Sequence, residues 1–92
     1  MTIEFEWDAA KAKTNLGQHR ISFEEATSVF YDALSVTISD PDHSVNERHF
    51  LLIGMTTTRR LVVVAHIDRG GRIRIINARR APRGERAIYE VG

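Results

Sequence analysis

Glu47, Arg48, His66, Arg72, Arg74, Arg79 and Arg80 are the side chains whose types and spacing suit chemistry on a phosphodiester. Metal-free cleavage of RNA needs a base for the 2′-hydroxyl proton, an acid for the leaving oxygen, and positive charge for the phosphorane-like state. Glu47 or His66 suits the base; His66 or an arginine-polarised group suits the acid. Arginine forks supply the electrostatic term, because a planar guanidinium grips phosphate oxygens bidentately. Each residue also has a plainer reading. His66 fits a hydrogen-bonded strand histidine at least as well, and Glu47-Arg48 fits a surface ion pair of little energetic weight. Arg79-Arg80 is harder to read that way. Neighbours on a strand point to opposite faces, so one of the two faces the sheet or a cleft and requires a partner.

The elements that must position these groups centre on residues 61–90. Residues 61–67 are β-branched and apolar, Asp68-Arg69-Gly70-Gly71 has turn chemistry, and residues 72–78 alternate charge with isoleucine, which predicts a hairpin. Its register decides which side chains share a face. A two-residue Gly70-Gly71 turn sets Ile67 opposite Arg74. A three-residue Arg69-Gly70-Gly71 loop sets Asp68 opposite Arg72 and His66 opposite Arg74. The second segregates apolar from polar residues better and is the expected register. It gathers His66, Arg72 and Arg74 on one face. Pro82 then suits the first turn of a closing helix through Arg86 and Tyr89.

Upstream, residues 2–6 alternate as a short strand. Asp8 stands at a helix N-cap before Ala9-Ala10-Lys11-Ala12-Lys13, and that helix ends near 17–19. Ser22 with Glu25 makes a capping box for a second helix carrying Phe23, Ala26 and Phe30, ended by Asp32. Residues 34–39 and 47–55 read as strands, with Phe50, Leu52 and Gly54 on one face of the second. The order is strand, two helices, four strands, helix: one α+β domain over residues 1–92, with an antiparallel meander and helices on one face.

The absence of cysteine excludes disulfides and thiolate metal sites, and no apolar run approaches a membrane span. A cytoplasmic protein is expected. The net charge of +1 hides an asymmetry. Residues 1–47 carry three basic and nine acidic side chains; residues 48–92 carry ten basic and three acidic. Eleven of the thirteen basic residues are arginine, which suits a polyanion or an acidic partner as well as an ion-paired surface.

No nucleotide-binding loop, zinc-protease helix or nucleophile elbow is present. Asp40-Pro41-Asp42-His43 has metal-ligating residue types without calcium-loop spacing, and reads as a turn. No metal or other cofactor is expected. Trp7, at a strand–helix junction, reads as core rather than as a base-stacking platform. His19 suits a helix C-terminus, and Arg83, Arg86 and Tyr89 give the last helix a basic face for RNA or a protein.

Three segments together resemble the BrnT-type toxins. The first runs from Phe5-Glu6-Trp7-Asp8-Ala9-Ala10-Lys11-Ala12-Lys13-Thr14-Asn15 through His19 to Ser22-Phe23-Glu24-Glu25-Ala26. The second has Asp40-Pro41-Asp42-His43-Ser44, Glu47-Arg48 and Ile53-Gly54. The third runs from Leu61-Val62-Val63-Val64-Ala65-His66 through Ile73-Arg74-Ile75-Ile76-Asn77-Ala78-Arg79-Arg80-Ala81 to Glu85-Arg86. The sequence departs from the family at Arg20, where glycine usually follows the histidine, and at Asn77, where serine is common. The resemblance implies a RelE-like fold: an antiparallel sheet with two N-terminal helices and a short C-terminal one. It implies a metal-independent endoribonuclease toxin that inhibits translation and arrests growth. It also implies a BrnA-type ribbon-helix-helix antitoxin, through which alone the complex would contact operator DNA. Carried onto this chain, it puts Glu47, Arg48, His66, Arg79 and Arg80 nearest the catalytic site. Lys11, His19, Arg72 and Arg74 are the expected RNA contacts. The competing expectation is a non-catalytic module that only grips nucleic acid or protein.

Overall fold

Asp8 starts the first helix for a local reason. Its carboxylate accepts from the backbone N–H groups of Ala10 and Lys11 at 2.8 and 3.0 Å, two donors that a helix start leaves unpaired. Those bonds, Lys11's first, hold the Asp8 carboxyl below its ordinary range. The computed structural model describes residues 2–40, 42 and 47–92. After β1 (Glu4–Glu6) come α1 (Ala9–His19) and α2 (Phe23–Thr27), the latter continued by a 3-10 turn over Ser28–Tyr31. Then follow β2 (Val36–Ser39), β3 (His49–Met55), β4 (Leu61–Arg69), β5 (Arg72–Arg80) and α3 (Arg83–Val91). The order is the one expected. Ser22 caps α2 by accepting from the Glu25 N–H at 3.0 Å. The reciprocal half of that box is not made, because the Glu25 carboxylate turns to Arg60 and Thr58.

The strands lie in the order β1-β5-β4-β3-β2. β2 to β5 form the antiparallel meander, while β1 adds parallel to the outer edge of β5 with Phe5 opposite Ile73. The sheet is therefore mixed, though mostly antiparallel. Helices cover both faces, not one as expected. On the first face Ile21, Phe23, Ala26 and Val29 pack on Leu52, Val62, Val64, Ile75 and Ala78. Trp7 joins them edge-on to Phe23 at 5.8 Å. Gly54 lets the 3-10 turn press onto β3, since a Cβ there would lie 2.7 Å from Val29 Cγ1. On the second face Tyr89 of α3 packs on the cluster of Ile53, Leu61, Val63 and Ala81. Its hydroxyl donates to Asp32 Oδ2 at 2.8 Å. Among the described residues no helix is long and apolar enough to cross a membrane.

The central hairpin corrects the expected register. Gly70 and Gly71 both have positive φ, 52° and 87°, and Arg69 stands opposite Arg72 across a two-residue turn. Ile67 thus faces Arg74, and His66 faces Ile75. Unbroken alternation along both strands would favour the longer loop. A bulge breaks it: Ala65 pairs with Asn77 while His66 pairs with Ile75, leaving Ile76 as an extra residue. An extra residue moves everything after it to the other face. Ile75 and Ala78 can then both enter the core of the first face. Arg72 and Arg74 before the bulge share the second face with Arg79 after it. His66 lies on the first face, apart from those arginines.

Candidate active site

The site begins with the edge of β5. β1 pairs only with Arg72, Ile73 and Arg74, so among the described residues no strand covers the outer edge of β5 beyond the bulge. Asn15 of α1 takes that place. Its Nδ2 donates to the carbonyls of Ala78 and Ile21, both at 2.9 Å. Its Oδ1 accepts from the Ala78 N–H at 3.1 Å and from Asn77 Nδ2 at 3.0 Å. A buried amide with all four hydrogen-bonding positions filled fixes the bulge without strand pairing. Asn77, the departure from serine, contributes one of those bonds.

Beside this edge the second face is left open between α3 and the hairpin end. The opening is a cleft of about 440 Å³ lined by Asp40, His49, Leu51, Ala65, Ile76, Asn77 and Arg79. Arg79 is held on its wall by Glu85 of α3, through two bonds of 2.6 and 3.1 Å. Asp40 and His49 continue the β2–β3 ladder, the Asp40 N–H donating to the His49 carbonyl at 2.9 Å. Residues directly opposite on paired strands share a face. A carboxylate, an imidazole and a guanidinium therefore border one cleft on a rigid sheet. That trio can accept a proton, donate a proton and neutralise a phosphate.

The hairpin end of the same face carries an ion-pair cluster. Glu47 takes Arg69 bidentately at 2.7 and 2.9 Å, and that guanidinium holds its carboxyl below the usual range. Arg72 pairs with Glu4 at 3.2 Å and Arg74 with Glu6 at 3.0 Å. The other sequence candidates lie elsewhere. His66 is buried at 6 % exposure, its ring 4.9 Å from Phe30 and 5.7 Å from Phe50. Burial lowers its pKa, so the neutral ring is favoured there. Arg48 stacks over Phe50 at 5.5 Å. Arg80 is exposed opposite Val62, on the α1–α2 face. Lys11 lines a second, smaller depression with Thr14, Asn15, Ile76 and Asn77, on the α1 side of the bulge. His19 closes the last turn of α1, where a cation suits the helix dipole.

Sequence reading thus named Arg79 and did not single out His49, which looks like any polar residue at a strand start. Residue type does not mark it: the β2–β3 register alone sets His49 opposite Asp40. Among the described residues no three His, Asp or Glu side chains gather to hold a metal ion. The turn expected at Asp40-Pro41-Asp42-His43 lies largely outside the described residues.

The family model of the ribonuclease toxin BrnT, of type II toxin–antitoxin systems, matches residues 7–85. Among solved structures, the fold is shared with the Brucella abortus ribonuclease toxin BrnT, known from a 1.1 Å crystal structure. The match has 20 % identity and a TM-score of 0.60, over 89 % of this chain and 100 % of that one. No curated protein sequence matches.

Proposed function

The chain belongs to the BrnT ribonuclease toxins of type II toxin–antitoxin systems, and on that premise we propose that it is a metal-independent endoribonuclease of the cytoplasm. By cutting RNA it inhibits translation and arrests growth, until a BrnA-type ribbon-helix-helix antitoxin covers it. Operator DNA is met only through that antitoxin. The supporting observation is the open cleft with Arg79 on its wall, held by Glu85 and yet only partly buried. In this reading the Arg79 fork takes the scissile phosphate, whose oxygens replace or share the Glu85 contact. Glu47 shapes the hairpin end of the cleft through Arg69. Arg72, Arg74 and Lys11 hold flanking phosphates, with Arg48, Arg80 and His19 as outlying contacts. His66 supports the site from the core, its ring locking Phe30 and Phe50 beneath the sheet.

The test is cleavage of a defined RNA by antitoxin-free protein in the presence of a chelator. We expect cleavage that Arg79→Ala reduces by about 10²–10³-fold, the scale of losing one preorganised donor to the transition state. Arg80→Ala should cost only a few-fold, as one backbone contact. A thermal melt checks that each variant is folded. If the folded wild type cuts neither free RNA nor messenger RNA in a translating extract, the ribonuclease reading fails and a binding module remains.

A further inference from the structure

We infer that His49 is the general acid of the cleavage reaction and Asp40 its complementary base, an assignment that rests on the ribonuclease reading above. Three geometric facts carry it. His49 and Asp40 are a directly opposed pair at the end of the β2–β3 ladder. Both border the cleft that holds Arg79. The side chains that would otherwise compete for proton transfer are placed against it. Glu47 lies at the hairpin end, outside the residues that line this cleft, and His66 lies on the other face beneath two aromatic rings. An imidazole is the side chain best matched to giving up a proton near neutral pH.

The step balances with the groups present. The RNA 2′-oxygen bonds to phosphorus and its proton passes to the Asp40 carboxylate. The bond from phosphorus to the 5′-oxygen breaks, and the His49 imidazolium gives its proton to that oxygen. The products are a 2′,3′-cyclic phosphate and a 5′-hydroxyl. Transfer of the proton from Asp40 to His49 restores the starting state. Arg79 carries the charge that builds on the non-bridging oxygens.

A leaving-group substitution separates proton donation from positioning. On ordinary RNA, His49→Gln should lose about 10²–10⁴-fold in cleavage rate. On RNA whose scissile 5′-oxygen is replaced by sulfur, the leaving thiolate needs no proton, so His49→Gln should approach the wild-type rate. His49→Asn serves as a second variant should the first fail to fold. Wild-type cleavage that neither variant slows would overturn the assignment while leaving the ribonuclease reading intact. So would a loss that the sulfur substrate does not rescue. A wild type inactive on every RNA sinks the ribonuclease reading itself, and His49 with it.

Discussion

Glu25 occupies the third position of α2, where a capping box would fold its carboxylate back onto Ser22. It serves a longer-range purpose. The carboxylate takes the Arg60 guanidinium at two atoms and the Thr58 hydroxyl at a third, tying α2 to the turn before β4. Arg60 also donates to the Arg20 carbonyl at 2.8 Å. The Arg60 bonds above all hold the Glu25 carboxyl at about 2, against an ordinary 4.5. Because the folded value is the lower one, this stabilisation is complete above pH 4.5 and disappears as pH falls through 2. Glu25→Gln should therefore lower unfolding free energy at pH 7 by about 1–3 kcal/mol, the range for hydrogen bonds to a charged group. Urea unfolding at pH 7 and pH 2.5 checks this, and the gap between variant and wild type should shrink at the lower pH. A gap that is equal at both would show that the charge is not what matters.

At the level of elements, α1 ends on a residue that strains to end it. Arg20 is the C-cap, with φ 61° and ψ 28°, a left-handed conformation that costs a side-chain-bearing residue and suits glycine. This is the departure from the family seen in sequence, and its consequence is conformational. The contacts Arg20 makes there are through its backbone, to Leu16 and Arg60, so glycine keeps them. Arg20→Gly should stabilise the fold by about 1 kcal/mol, the cost of roughly 1–2 kcal/mol for a left-handed side-chain-bearing residue less glycine's greater freedom in the unfolded chain, read as a rise of a few degrees in Tm; an unchanged or lower Tm would refute the strain. Such local features were legible in the sequence. The Asp8 and Ser22 caps, the order of elements along the chain and the apolar face of Phe50, Leu52 and Gly54 all follow from residue type and spacing. The bulge was not, since Ile75-Ile76 reads as ordinary alternation slightly smudged. It is held by Asn15, sixty-three residues from Ala78. Missing it inverted the faces and put His66 with the arginines. It is also what selects Arg79 over Arg80 for the cleft, a choice that alternation alone left open. The parallel docking of β1 was equally invisible, since a three-residue strand carries no sign of its partner.

For the molecule as a whole, the acidic and basic halves of the sequence meet in ion pairs at the hairpin end of the sheet. β1 lays Glu4 and Glu6 beside Arg72 and Arg74, and Glu47 meets Arg69 at the same end. Three acidic side chains from the first half thus cancel three arginines from the second, in the very patch expected to hold RNA. On the proposed reading, phosphate competes with these internal partners. The Arg72–Glu4 pair is largely exposed, 62 and 66 % for the two side chains, so it adds well under 1 kcal/mol to stability. Removing the carboxylates should cost the fold little while releasing two guanidinium groups. We therefore expect the double variant Glu4→Gln, Glu6→Gln to bind single-stranded RNA more tightly. Each newly engaged phosphate should steepen the slope of log affinity against log salt by about 0.7. Salt-titrated fluorescence anisotropy in a cleavage-deficient Arg79→Ala background gives that slope directly. If slope and affinity both stay at the parent's values, Arg72 and Arg74 are not RNA contacts. Their pairing with β1 is then structural, and the path of RNA runs instead past Lys11 on the far side of the bulge.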